Sequence, residues 1–393
     1  MPAQCSPPAA PAAARDARSH AARGDAERAR AWLEVDLAAL VRNARALRGR
    51  AAVPLVPMVK AEAYGLGAVP VARALASLGP GAVWGYGVAT VAEGEALRAA
   101  GLDAPLLVCT PLVAGDLPRA RRAGLTPSLH RADDVRAWAT LGDAPWHLGI
   151  DTGMARAGVR WDAVGDDLVA AARAHPPEGA FTHFHSADCA DGTREAQEAR
   201  FAAALARLPA RPLLLHAENS PAVVRGGRSP WDLVRPGVFL YGASAAEEGA
   251  VPNLNDASPA PEPVAHLRAR IVDLRDLRAG EPVSYGATWT APGPRRIATL
   301  AAGYADGYRR ALSGRGVALL HGRRAPVVGR VTMDMTMLDV TGVPCGVGDV
   351  ATLLGRDGDA VLSVDEVARA GDLSPYELLA GLRLRVPHLY TDA

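Results

Sequence analysis

From Asp36 to about residue 242 the chain repeats one pattern eight times: a short apolar run of strand character, then an amphipathic segment rich in Ala, Leu and Arg. The runs are PLVPMVK at 54–60, VWGYGVA at 83–89, PLLVCT at 105–110, LTPSLH at 125–130, WHLGID at 146–151, AFTHFH at 180–185, PLLLHA at 212–217 and GVFLYG at 237–242. Helical patterns separate them, among them LAALVRNARALR behind a fitting N-cap, Asp36, and TREAQEARFAAALARL. Eight such units in roughly 210 residues is the rhythm of a closed parallel (β/α)8 barrel of the TIM type. An open doubly wound sheet would want a G-x-G-x-x-G first turn, and the nearest stretch, Tyr64-Gly65-Leu66-Gly67, does not match it.

The pattern stops at both ends of this region. Residues 1–30 are rich in Ala, Arg and Pro and poor in large apolar groups, so a disordered tail is expected there. Residues 243–262 form a Pro-, Ala- and Glu-rich connector. Beyond it, HLRARIVDLRDL, RRIATLAAG, GVALLHG, APVVGRVTMDMTMLDV and DVATLLG read as strands between Gly, Pro and Asp turns, with helices expected at VDEVARAGD and PYELLAGL. The expected organisation is therefore a tail at 1–30, a barrel over 31–245 and a β-rich domain over 246–393. The short run AWLEVD ahead of the first barrel helix is a candidate partner for the β-rich sheet.

Charge narrows the partners. With 43 basic and 42 acidic side chains the net charge is +1, so the clustered cation excess that nucleic acid or anionic lipid requires is missing. No apolar stretch is long enough for a membrane span, and the N-terminal residues lack the apolar centre of a signal peptide. The expectation is a cytoplasmic protein with no nucleic-acid or membrane partner. Cys5, Cys109, Cys189 and Cys345 lie far apart, in neither a metal-ligand spacing nor a disulfide framework, so no metal is expected.

A single lysine, Lys60, stands among the 43 basic residues; every other one is arginine. Arginine cannot be deprotonated in a protein, whereas a lysine amine can lose its proton and attack a carbonyl. Lys60 closes the first strand run, and in a parallel barrel the carboxyl ends of the strands form the pocket mouth. Other polar side chains fall at equivalent ends: Asp151 and Arg156, His183, His216, Asn219 and Ser220, and Arg235. Small residues and hydroxyls at Asn219-Ser220 and Gly237-Val238 are suited to phosphate, because backbone N–H groups can approach it closely there. A lysine and a phosphate site together suggest pyridoxal phosphate.

These motifs also carry a resemblance. The run VKAEAYGLGA is similar to the V-K-A-x-A-Y-G-H-G motif of alanine racemases. DTGMARAGV, HAENSPA, VRPGVFLYG, VSYGATWTAP, GYADGYRRALSGRG and VGRVTMDMTMLDV resemble that family's later signatures, in its order, from about residue 31 to 390. The resemblance implies a barrel followed by a β-rich domain, pyridoxal 5'-phosphate held by Lys60, and a head-to-tail homodimer with shared sites. It implies two proton-transferring bases, Lys60 and Tyr285 of the partner subunit, acting on a small amino acid to supply D-alanine for peptidoglycan. A base on each face of a planar carbanion is what racemisation needs. By the same resemblance Tyr64 and Ser220 contact the phosphate with main-chain help at Gly237 and Val238. Arg235 meets the pyridine nitrogen, and His183 stands between Arg235 and Tyr285. Arg156 and the backbone near Met333 contact the substrate carboxylate, and Tyr304 lines the entrance.

The chain departs from the family pattern at four positions. Gly149 replaces a lysine that is often carbamylated and orients the arginine here numbered Arg156, leaving that role to a bound chloride or another side chain. Leu66 replaces the histidine of Y-G-H-G, Cys189 replaces an acid, and Leu384 stands where some members have a phosphate-contacting tyrosine before R-V-P. The competing readings are a racemase for another amino acid such as serine, a decarboxylase on a related barrel, and a pyridoxal-phosphate or inhibitor-binding protein without turnover. Arg235 and VSYGATWT speak against the decarboxylase, and the second domain speaks against the binding protein.

Overall fold

The computed structural model describes residues 28–244, 259–382 and 385–391. The expected tail therefore lies, up to residue 27, outside the described residues, as do most of the connector and Leu384. The described chain divides into two compact units. One comprises 37–244 and 259–264 together with 374–381; the other comprises 28–36, 265–373, 382 and 385–391. The units do not follow chain order: AWLEVD falls in the second, and the short helix Pro375–Ala380 falls in the first.

In the first unit six strands pair in parallel and in sequence order: Tyr86–Val88, Leu106–Val108, Thr126–Leu129, His147–Asp151, Gly179–Phe181 and Leu214–His216. Two irregular staves close the ring. Residues 54–59 bond to one edge through Val59 N to Gly87 O (2.9 Å) and Gly87 N to Pro57 O (2.9 Å). On the other side Val56 N donates to Val234 O (2.8 Å) and Met58 N to Pro236 O (2.9 Å), while Asp232 N donates to Leu215 O (2.9 Å). Pro54 and Pro57 have no N–H to give, which is why this stave has isolated bridges instead of a regular ladder. The result is a (β/α)8 barrel whose strands are buried on both faces: Leu106, Leu107 and Val108 are fully buried, each stabilising by about 1.5–3 kcal/mol.

The eighth stave differs from the expected one. The run at 237–242 is not a strand: Val238–Tyr241 is a short 3-10 helix ended by Gly242 at φ 88°, and the stave is the preceding stretch, 232–236. Val238, Phe239, Leu240 and Tyr241 are all buried, so their unbroken apolarity carries no period that would separate a strand from a tight helix.

The second unit is a nine-stranded sheet built on the long strand Ala265–Leu277. Its burial alternates, with Ala265, Leu267, Ala269 and Ile271 inside and His266, Arg268 and Arg270 less buried, as a one-faced antiparallel strand requires. Ala31–Asp36 pairs antiparallel with it and parallel with His388–Thr391. APVVGRVTMDMTMLDV is strand only at its ends, Arg323–Pro326 and Thr336–Asp339; the stretch between is a loop. Among the described residues no helix is long and apolar enough to cross a membrane.

Candidate active site

Lys60 follows the stave 54–59 at its carboxyl end. The next four residues, Ala61, Glu62, Ala63 and Tyr64, all have left-handed backbones, with φ between 52° and 57°. Such a conformation costs a non-glycine residue about 1–2 kcal/mol. Two carboxylates hold it. Glu93 accepts from Ala61 N (2.8 Å) and Ala89 N (2.6 Å) while completing the capping box of the helix Val91–Ala99 with Thr90. Glu62 accepts from Ala68 N at 3.1 Å.

The left-handed turn carries Tyr64 to a cluster of tyrosines. Its ring lies 4.8 Å from that of Tyr241 and 6.0 Å from that of Tyr376. Tyr241 donates its hydroxyl to Met58 O at 2.7 Å, binding this cluster to the Lys60 stave. Burial, with Tyr376 adding to it, pushes the Tyr64 phenol well up, so it stays a neutral donor. A side chain on Gly237 would place its Cβ 2.5 Å from the Tyr64 hydroxyl. Gly237 N donates to Ser220 Oγ at 2.9 Å. Two hydroxyls and a side-chain-free backbone thus converge, and a phosphate fits them because it takes several donors at once and needs close main-chain approach. Asn219 contributes differently: its side-chain oxygen caps the helix Ser220–Gly226 through Ala222 N at 3.1 Å. Val238 is buried where the 3-10 helix starts. Nothing local in the sequence marks Tyr376: S-P-Y-E places it at the start of a helix, and only the fold brings it to Tyr64.

Lys60, Arg156 and His183 line one cavity of about 280 Å³, with Cys109, Ser128, Gly149, Asp151 and Thr182. Asp151 turns its carboxylate to its own loop, accepting from Gly153 N (2.9 Å) and Ala155 N (3.1 Å), which presents the following Arg156. Arg156 is exposed and forms no ion pair among the described residues. At Gly149 a Cβ would meet Ser128 Oγ at 3.1 Å, with Phe181 Cζ at 3.6 Å and Gly158 Cα at 3.8 Å, so the position is closely packed and a larger side chain would require the Ser128 hydroxyl to move.

Behind this cavity Arg235 is a buried cation held by backbone carbonyls and imidazoles. It donates to the carbonyls of His216 (2.7 Å), Thr182 (2.6 Å) and Ala217 (3.1 Å), to His216 Nδ1 (2.7 Å) and to His183 Nδ1 (3.3 Å). Burial lowers its pKa to about 10, which leaves it cationic at neutral pH. The pKa of His183 falls to about 3, first through burial and then through Arg235, so the ring is neutral and its Nδ1 accepts. A fixed cation at the back of a cavity suits a ring nitrogen that must remain unprotonated.

The remaining predicted residues lie in the β-rich unit, where linked loops gather them. Tyr285 opens the 3-10 turn Tyr285–Ala287, and Ser284 donates to Arg330 O at 2.8 Å. Tyr304 N donates to Thr332 O (2.9 Å) and Ala305 N to Met333 O (3.0 Å). Their side chains stand out: Tyr285 is 74% exposed, Met333 52%, Met335 44% and Tyr304 38%. Among the described residues no group of three or more His, Cys, Asp or Glu side chains could hold a metal ion.

Residues 35–245 match the family described as alanine racemase, N-terminal domain, and residues 264–390 its C-terminal domain. An alanine racemase of Deinococcus radiodurans is 41% identical over 360 residues, spanning 91% of this chain and 98% of that one. One of Symbiobacterium thermophilum is 39% identical over 377 residues, spanning 91% and 96%. Among solved structures, alanine racemase from Bartonella henselae with covalently bound pyridoxal phosphate superposes with a TM-score of 0.81 at 28% identity, covering 92% of this chain and all of that one.

Proposed function

The chain belongs to the alanine racemase family, and from that premise we propose that it interconverts L- and D-alanine with two bases, Lys60 of one subunit and Tyr285 of the partner subunit. It is an isomerase that depends on pyridoxal phosphate. We further propose that it works in the cytoplasm as a head-to-tail homodimer and supplies D-alanine for peptidoglycan.

One observation carries the reading: the only lysine of the chain lies at the carboxyl end of a barrel stave, in a cavity with Arg156 and His183. The exposed group of Tyr285, Tyr304, Met333 and Met335 supports the dimer, since large apolar side chains clustered on linked loops form a face that a second copy covers. Bound pyridoxal phosphate supplies the electron-withdrawing ring that acidifies the α-proton. Lys60 Nζ holds the cofactor and moves that proton on one face; Tyr285 Oη serves the other. Arg156 binds the substrate carboxylate, with the backbone near Met333, and Tyr304 narrows the entrance. Tyr64, Ser220, Gly237 and Val238 hold the phosphate, with Tyr376 beside Tyr64. Arg235 would meet the pyridine nitrogen as a cation that keeps its proton at neutral pH, which would weaken the electron sink and disfavour transamination.

The test follows L-alanine in heavy water, reading optical rotation and deuterium at the α-carbon. The proposal expects rotation to vanish with one deuteron gained per molecule, both abolished by Lys60→Ala. Borohydride reduction should fix the cofactor on one peptide, the one holding Lys60. A cofactor bound elsewhere, or exchange without inversion, would overturn it.

A further inference from the structure

Behind Arg235, on the side away from the cavity, the barrel interior holds a file of polar groups that the reaction does not use. His216 Nε2 lies 2.8 Å from His147 Nδ1, and His147 Nε2 lies 3.4 Å from a carboxylate oxygen of Glu178. Both imidazoles are fully buried, while Glu178, at the amino end of the strand Gly179–Phe181, is 34% exposed. The file thus runs from the Arg235 guanidinium through two rings to a carboxylate at the barrel's opposite end.

Its direction follows from donor chemistry. An arginine can only donate, so His216 Nδ1 accepts from Arg235 and its proton sits on Nε2. That proton points at His147 Nδ1, which must accept in turn, leaving the His147 proton on Nε2, facing Glu178. A proton on either Nδ1 would set two donors against each other. Burial and the Arg235 cation, which push the pKa of His216 well down, and burial, which lowers that of His147, keep both rings neutral. The sequence has also made room for the file: a Cβ on Gly179 would fall 2.6 Å from the His147 ring, whose other neighbour is the Trp84 indole at 5.5 Å between centroids. Phe181 stacks on His216 at 5.1 Å and 13°, with the Arg235 guanidinium over the same phenyl ring.

We propose that His147 and Glu178 are positioning residues for Arg235: a one-way file, hydrogen-bonded from Arg235 to His216 to His147 and ended by the Glu178 carboxylate 3.4 Å from a His147 Nε2 that has no other partner among the described residues, sets the orientation and the charge distribution of the guanidinium from the far end of the barrel. A carboxylate at the end of the file favours each proton's placement along it, and the polarised His216 Nδ1 is then a stronger acceptor for Arg235. The inference about the file stands on the barrel alone; only its effect on the cofactor rests on the assignment of Arg235 to the ring nitrogen.

The test uses the full chain labelled with 15N-histidine, with and without pyridoxal phosphate, assigned by His147→Phe and His216→Phe. Nitrogen shifts should report both rings as neutral Nε2–H tautomers that do not titrate between about pH 6 and pH 9. An Nδ1–H tautomer or a titrating ring in either state overturns the file. His147→Phe keeps the ring volume but strands the His216 proton, and should weaken cofactor binding and lower kcat roughly tenfold to a hundredfold, with the alanine KM little changed and the absorption maximum of the bound cofactor displaced. Glu178→Gln, a milder change at a partly exposed site, should move kcat and the absorption maximum in the same direction by roughly threefold and a smaller displacement. If Glu178→Gln shifts neither, the carboxylate has no part in the file and the proposal fails. A wild type with the expected tautomers but no racemisation would leave the file standing and sink the functional reading instead.

Discussion

Glu93 accepts a hydrogen bond from the backbone N of Ala61 at 2.8 Å, tying the capping box of one barrel helix to the residue that follows Lys60. The same carboxylate stabilises a helix start and pins the first residue of a left-handed turn of four, so one side chain couples barrel packing to the placement of the reactive amine. Glu93→Ala should therefore cost more than an ordinary cap: about 1–3 kcal/mol of stability, read as a lower denaturant midpoint, together with at least roughly tenfold weaker cofactor binding. Glu93→Gln, which keeps one acceptor oxygen, should fall between. If the two variants lose stability but bind the cofactor like wild type, the turn is not held by Glu93.

Gly237 tests the phosphate cradle by shape alone. A Cβ on Gly237 would meet the Tyr64 hydroxyl at 2.5 Å, so Gly237→Ala puts a methyl group against the phenol that lines the cradle. Cofactor affinity should drop roughly tenfold or more, and Tyr64→Phe in the same chain should recover part of that loss by removing the clashing oxygen. Additive losses in the double variant would show that the two groups do not share the site.

Two glycines near Arg156 should behave oppositely. At Gly149 the one tight neighbour of a methyl is the Ser128 hydroxyl, which can rotate, while Phe181 Cζ and Gly158 Cα lie at ordinary contact distances of 3.6 and 3.8 Å, so Gly149→Ala should cost less than about 1 kcal/mol and change the alanine KM less than roughly threefold. Gly158 has φ 113° and its Cβ would sit 2.7 Å from Asp151 N, a backbone atom that cannot step aside. Gly158→Ala should cost more than about 2 kcal/mol and raise KM as the Arg156 loop shifts. Equal tolerance at the two positions would refute this view of the loop.

Three imidazoles set the acid limb of stability. His147, His183 and His216 all have pKa values below 6.5 in the folded chain, first because of burial. Below that value the unfolded chain binds protons that the folded chain refuses, so stability falls as pH falls, from about 6.5 down to about 3 for His183, and is unaffected above. The Tm should be level between about pH 7.5 and pH 8.5 and drop by several degrees by about pH 5.5. A level Tm throughout would mean that these rings accept protons in place.

How far the sequence could be read follows from the kind of order each part has. The barrel was legible because its strands are continuous apolar runs at a regular spacing, and Lys60 because it is the only lysine. The eighth stave was not, since Val238–Tyr241 is buried on every side and the true stave ends in Arg235-Pro236, a polar and donor-poor pair. The left-handed turn was hidden because Ala and Glu favour the opposite hand, and only the glycines that follow, Gly65 and Gly67, hint at it. Tyr376 carries no local signal, because its ring meets Tyr64 only through folding. The file behind Arg235 joins strands 31 and 38 residues apart, at Glu178, His147 and His216, and no local pattern announces it.

The most direct test of the two-base, shared-site account is complementation between two dead subunits. Lys60→Ala and Tyr285→Phe should each be inactive alone with alanine, yet after mixing, unfolding and refolding together they should regain up to about a quarter of wild-type activity, because each mixed dimer rebuilds one intact site from two subunits. If the mixture stays dead while mixed dimers demonstrably form, the two bases do not meet across subunits, and the central claim is wrong.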